Sequence, residues 1–125
     1  MQEADPPVLD EQVLAEMMAA TGGDLGFVRE LVETYLADTP VQLEAMAAAV
    51  EADDAAALVR PAHTVKSSSA SLGAMRLSMR ARELEAAGRS GELGPADRAG
   101  LEAARSEWVA AADAINAWLD RASAR

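Results

Sequence analysis

The chain has a single histidine, His63, and it stands among small and basic residues in "AHTVKSSSASLGA". An unprotonated imidazole keeps a lone pair on one ring nitrogen and can act as a nucleophile. If that nitrogen carried a phosphoryl group, Lys66 at i+3 could pair with its oxygens, and Arg60 at i-3 would add longer-range positive potential. The Ser67 hydroxyl at i+4 could donate a hydrogen bond. The equipment for drawing a phosphoryl group from ATP is missing: no glycine loop is followed by Lys, and no acidic constellation is spaced to hold Mg²⁺. These residues suit a group that is carried rather than generated.

Composition removes most other chemistries. A length of 125 residues fits one domain. Half the residues are hydrophobic, many of them alanine, and Phe27, Tyr35, Trp108 and Trp118 are the four aromatics, which predicts closely packed helices with small side chains. The lack of cysteine excludes disulfides, thiolate zinc sites and thiol nucleophiles; with one histidine, no metal site is expected. No apolar run approaches the roughly 18 residues of a membrane span, and "MQEADPP" has neither the basic nor the apolar part of a signal peptide. The expected location is the cytoplasm. A net charge of -10 argues against nucleic acid as a partner. Yet Arg60, Lys66, Arg76, Arg80, Arg82 and Arg89 face only Glu83 and Glu85 in the stretch 60–89, giving it +4 and leaving -14 for the rest. The histidine segment is a basic island in an acidic chain.

The elements that must position these residues are all helical. Asp10 is a plausible N-cap for a short first helix that ends at "TGGD". From Asp24, Phe27, Leu31, Tyr35, Leu43, Met46 and Val50 keep one face of a 3.6-residue period, so a single long helix bent near Pro40 is favoured over two helices. Asp53 or Asp54 caps a third helix that carries His63 and ends near Gly73; Pro61 within it either kinks the helix or marks a tighter first turn. A fourth runs from about Ala74 to Ala87, and "GRSGELGP" is a loop that sets Pro95 in the first turn of the last helix. Short connections favour antiparallel neighbours in an up-and-down bundle.

At about 100° per residue, Leu58, Ala62, Val65, Ser69 and Leu72 form the core stripe of the third helix. His63 points roughly 140° away from it. It shares its face with Ala56, Val59, Arg60, Lys66, Ser67, Ala70 and Ala74, small or basic residues that would let another protein approach the ring. Ser69 is expected to bond back to a carbonyl of its own helix. Arg76, Arg80 and Arg82 either steer an acidic partner or pair with Glu83, Glu85 or other carboxylates.

His63, Lys66, "SSS" at 67–69, "LGA" at 72–74, Leu77, and Leu84 with Glu85 resemble, in order and spacing, the histidine-containing phosphotransfer (HPt) family of phosphorelays. The upstream "FVRELVETYLADTPVQLEAMAAAVEADDAAAL" resembles the family's helix and turn before its histidine helix. The resemblance implies an all-α, antiparallel up-and-down four-helix bundle with an additional short N-terminal helix, over residues 10–122 after a flexible segment 1–9. It implies His63 as phospho-acceptor through the ring nitrogen far from the backbone, Lys66 as electrostatic support, and Val59, Arg60, Ser67, Ala70 and Ala74 as partner or phosphoryl contacts. Donor and acceptor would be aspartates of response-regulator receiver domains, with a hybrid sensor histidine kinase upstream. Mg²⁺ would sit on the receiver, and the carrier, a monomer, would need no cofactor and have no ATP-dependent kinase activity. Ser67 departs from the family's usual glycine after the lysine. The competing expectations are a helical adaptor that binds through the same face without phosphorylation and, more weakly, a hydrolase pairing His63 with a nearby serine.

Overall fold

A computed structural model describes residues 5–124. Five helices follow in order: α1 (Glu11–Ala20), α2 (Leu25–Glu51), α3 (Ala55–Leu72), α4 (Met75–Ser90) and α5 (Pro95–Ser123), with no strand among the described residues. Free N–H groups at the helix starts find side-chain acceptors where the sequence offers them. The Asp10 carboxylate accepts from the Gln12 N–H at 3.1 Å, Asp24 from Phe27 at 3.0 Å, and Asp54, rather than Asp53, from Ala57 at 3.1 Å. Pro95 opens α5, where a missing N–H costs nothing, and the Gly94 N–H donates to Asp97 at 2.7 Å. Gly73 closes α3 with φ +88°, a left-handed turn that a side chain would strain.

Both internal prolines are absorbed without a break. Helix α2 continues through Pro40, which lies on its exposed side. In α3, Pro61 is buried, and the donor it lacks would have served Ala57 in the exposed first turn. The inward face of α2 differs from expectation in its first half. Val28 and Val32 are fully buried, whereas Phe27 and Leu31 are 45% and 38% exposed. The core stripe there is shifted by one residue, which puts β-branched side chains against the neighbouring helices and leaves the two larger ones on a flank.

Helix α3 packs against α2 and α4, α5 against the same two, and α1 against α2 and α3. Leu58 and Val65 of α3 meet Val32 and Met46 of α2, Leu77 and Leu84 of α4, and Ile115 of α5 in one hydrophobic core. Each such side chain contributes roughly 1.5–3 kcal/mol on burial. Ala62, Ala81, Ala104 and Ala111 are fully buried between them and allow close helix approach. Ser69 does not bond back to its own helix: its hydroxyl shares a 2.7 Å hydrogen bond with the buried Tyr35 hydroxyl. Burial pushes the Tyr35 phenol up to about 12, and its ring meets Trp108 of α5 edge-on at 5.3 Å. One aromatic thereby ties α2 to both α3 and α5.

Of the segment expected to be flexible, residues 1–4 lie outside the described residues. Beyond them, Arg76 donates from its backbone N–H to the Pro7 carbonyl at 3.1 Å and from Nε to the Pro6 carbonyl at 2.9 Å, while Val8 and Leu9 pack against the core. The Asp10 N–H donates to the Gly73 carbonyl at 2.7 Å, fixing the start of α1 against the end of α3. Among the described residues no helix is long and apolar enough to cross a membrane.

Candidate functional site

His63 stands on the outer side of α3, with a side chain 54% exposed. Leu58, Ala62, Val65, Ser69 and Leu72 are all buried on the opposite side, as the helical wheel requires. The ring is not loose, however. Its Nδ1 lies 2.9 Å from Oε2 of Glu85 on α4. Glu85 is nearly closed off from water, its side chain only 6% exposed, and its other oxygen lies 2.6 Å from Nζ of Lys66. Arg89, one turn further along α4, donates to Glu85 Oε2 from Nη2 at 2.8 Å and from Nε at 3.3 Å.

Three donors converge on one carboxylate. The Lys66 ammonium and the Arg89 guanidinium, with a smaller contribution from His63, outweigh the burial that opposes ionisation and hold Glu85 down at about 2. An ionised carboxylate has no proton to give, so the proton shared with His63 resides on Nδ1. In the neutral ring the lone pair is then on Nε2, the nitrogen turned away from Glu85.

The seam between α3 and α4 makes this reach possible. A Cβ on Gly88 would lie 2.9 Å from the Ala55 carbonyl oxygen and 2.9 Å from Cγ2 of Val59, so only glycine lets the helices come this close. The Ser78 hydroxyl donates to the Lys66 carbonyl at 2.9 Å. Ser78, Glu85 and Gly88 are spaced by seven and three residues, one face of α4, so a hydroxyl, a carboxylate and a gap all address α3.

The other expected contacts divide. Arg60, Ser67 and Ala70 are exposed on the face of α3 that carries His63, and Lys66 is half-buried beside Glu85. Val59 is half-buried, with a methyl group against Gly88. Ala74 is fully buried and is not a surface contact. The reason is that α3 ends at Leu72; the left-handed Gly73 turns the chain inward, and Ala74 becomes the N-cap position of α4 instead of continuing the α3 face.

The participation of Glu85 and Arg89 in the site was missed from sequence. Arg82, Glu85 and Arg89 recur at i, i+3 and i+7, which places them on one side of α4, and that spacing was the available signal. With His63, Lys66 and Ala86 they line a shallow hollow. A separate, more apolar groove lies between Met17 of α1, Leu31 and Thr34 of α2, and Ser68, Ser71 and Leu72 of α3.

An all-helical fold that presents one histidine outward, with its inner nitrogen fixed and its outer one without a hydrogen-bond partner among the described residues, is suited to carrying a group on that nitrogen. The chain belongs to the Hpt domain family, whose model matches residues 30–125. Its fold is similar to the crystal structure of histidine-containing phosphotransfer protein B (HptB) from Pseudomonas aeruginosa PAO1, with a TM-score of 0.82 and 30% sequence identity over 92% of this chain and 96% of that chain. No match is found among curated proteins. Histidine phosphotransfer in phosphorelay signalling is the function these likenesses support.

Proposed function

We propose that His63 is the phosphoryl-accepting residue of this protein and that it exchanges the group, on Nε2, with aspartates of response-regulator receiver domains. The observation that carries the reading is the 2.9 Å contact of Nδ1 with an ionised, buried Glu85, which leaves the exposed nitrogen as the nucleophile. In the transfer, the Nε2 lone pair attacks the phosphorus of an aspartyl phosphate. The bond from phosphorus to the aspartate oxygen breaks, and the aspartate leaves as a carboxylate. The ring becomes cationic as this happens, and the Glu85 carboxylate beside Nδ1 stabilises that charge. Lys66, held by Glu85, supplies positive potential next to the incoming group.

On this reading the receiver brings Mg²⁺ and docks across the outer face of α3, over Arg60, Ser67, Ala70 and the edge of Val59. Ser67 is small enough to keep that approach open. The bundle formed by α2–α5 is antiparallel and up-and-down, the carrier is a cytoplasmic monomer without kinase activity of its own, and a hybrid sensor histidine kinase stands upstream.

The test is incubation with a receiver domain carrying a radiolabelled aspartyl phosphate. Acid-labile, base-stable label on the wild-type chain, absent from His63→Gln, is the expected result. Stable binding of the receiver with no transferred label would replace the carrier with a helical adaptor.

A further inference from the structure

We infer that Arg82 is a second cation for the phosphoryl group, holding its oxygens in the phosphorylated form of His63. The inference rests on the carrier reading above and assigns a residue to the same site.

Helix α4 has four arginines, and three are already engaged. Arg76 and Arg80 each lie 3.8 Å from Oε2 of Glu107, and Arg80 also reaches Glu83 at 3.6 Å. Arg89 is bound to Glu85. Arg82 is exposed and makes no ion pair or hydrogen bond among the described residues, although Glu83 and Glu85 are close to it in sequence. It lines the hollow that contains His63, Lys66, Glu85 and Arg89. A guanidinium without a carboxylate among the described residues, in a hollow with a nucleophilic nitrogen, is poised for an anion bound there.

Charge points the same way. Lys66 and Arg89 are both turned onto Glu85 at 2.6 and 2.8 Å, so together with it they present a net charge of +1. Arg82 raises this to +2, which matches a phosphoryl dianion. Lys66 cannot give its whole charge to the phosphoryl group without leaving a carboxylate that is sealed from water; Arg82 gives up nothing. Arg60 is also exposed, but it belongs to α3 and does not line the hollow. Small Ala86 next to Arg82 leaves room for the oxygens.

Phosphoramidate, a small phosphoryl donor, tests this without any receiver. Nε2 attacks its phosphorus, the P–N bond of the reagent breaks, and ammonia leaves with the electron pair. Phosphorylation of wild type, Arg82→Gln and Arg82→Lys is followed with time, and the last ionisation of the bound phosphoryl group is titrated by ³¹P NMR. In Arg82→Gln, phosphorylation should slow roughly threefold, as for a solvent-exposed pair. The phosphoryl ionisation should rise by roughly 0.3 to 0.6 of a pH unit for loss of one nearby charge. Arg82→Lys should recover most of both, since it keeps the charge. Wild-type rate and ionisation in Arg82→Gln would overturn the role of Arg82 while leaving His63 as acceptor. A wild-type chain that takes no label at His63 would overturn both.

Discussion

Nδ1 of His63 and Oε2 of Glu85 lie 2.9 Å apart, one group mostly in water and the other sealed between two helices. The contact converts a mobile surface imidazole into one with a fixed ring orientation and a fixed tautomer. The carboxylate does this only while ionised, and Lys66 and Arg89 keep it so.

Glu85→Gln should therefore impair the proposed site without altering His63 itself. A neutral amide can either accept from Nδ1–H or donate to a bare Nδ1, so the tautomer preference is lost. We expect phosphorylation of His63 by phosphoramidate to slow about tenfold, the scale typical of losing an orienting partner. Imidazole ¹⁵N shifts should report a mixed tautomer, where the wild type is uniformly protonated on Nδ1.

Stability should depend on pH through the same group. The folded-state value of about 2 lies below the ordinary 4.5, so the contribution of Glu85 is complete above about pH 4.5 and disappears as the pH falls toward 2. The full shift corresponds to about 3 kcal/mol. Urea unfolding of wild type and Glu85→Gln should differ most at pH 7, and the gap should close between pH 4.5 and pH 2.

Lys66→Ala removes one of the three donors and leaves Arg89 and His63 on Glu85. The fold should persist with a loss of about 1 kcal/mol, as for a partly exposed pair. Transfer to a receiver should slow about fivefold, because on the proposed reading the lost charge lies beside the phosphoryl group. Unchanged transfer kinetics would remove Lys66 from the site.

Gly88→Ala sets two effects against each other. Alanine favours a helix over glycine by about 1 kcal/mol. Its Cβ, though, would sit 2.9 Å from the Ala55 carbonyl oxygen, a backbone atom that cannot swing aside. Overpacking of this kind costs typically 1–3 kcal/mol, so the variant should be less stable, and phosphorylation of His63 should slow as Glu85 is levered away. Thermal melts and phosphoramidate kinetics check both effects.

Val65→Asp probes the opposite face of α3. Val65 is fully buried, and an unpaired carboxylate there should cost about 4 kcal/mol or more, leaving the chain unfolded or with a raised carboxyl pKa. Near-UV dichroism of the two tryptophans would show it.

What could be read in advance followed from periodicity. The Leu58–Leu72 stripe, the outward His63, the Asp10 cap, a cap at Asp53 or Asp54 and the Gly73 stop all depend on a single helix and its immediate ends, and those forces are local. The misses all involve two elements at once. Glu85 stands in the family-like pattern, but its contact with His63 exists only once α4 lies against α3; Ser69 bonds Tyr35, thirty-four residues away, in place of its own carbonyl. Ala74 leaves the α3 face because Gly73 turns the chain at the end of that helix, and the residue becomes the N-cap position of α4. Hydrophobicity alone points Phe27 and Leu31 inward, but Val28 and Val32, also apolar and one step on, are the buried pair.

Because a missing side chain at Gly88 sets how closely α4 lies against α3 where Glu85 reaches His63, the orientation of the imidazole is governed by the seam between the two helices. On the proposed reading, the docking residues on the outward surface of α3 can change while the seam keeps the imidazole in place, and the seam can change while the docking residues stay. Two properties that a signalling carrier must balance are thus divided between an outward surface and the seam beside it.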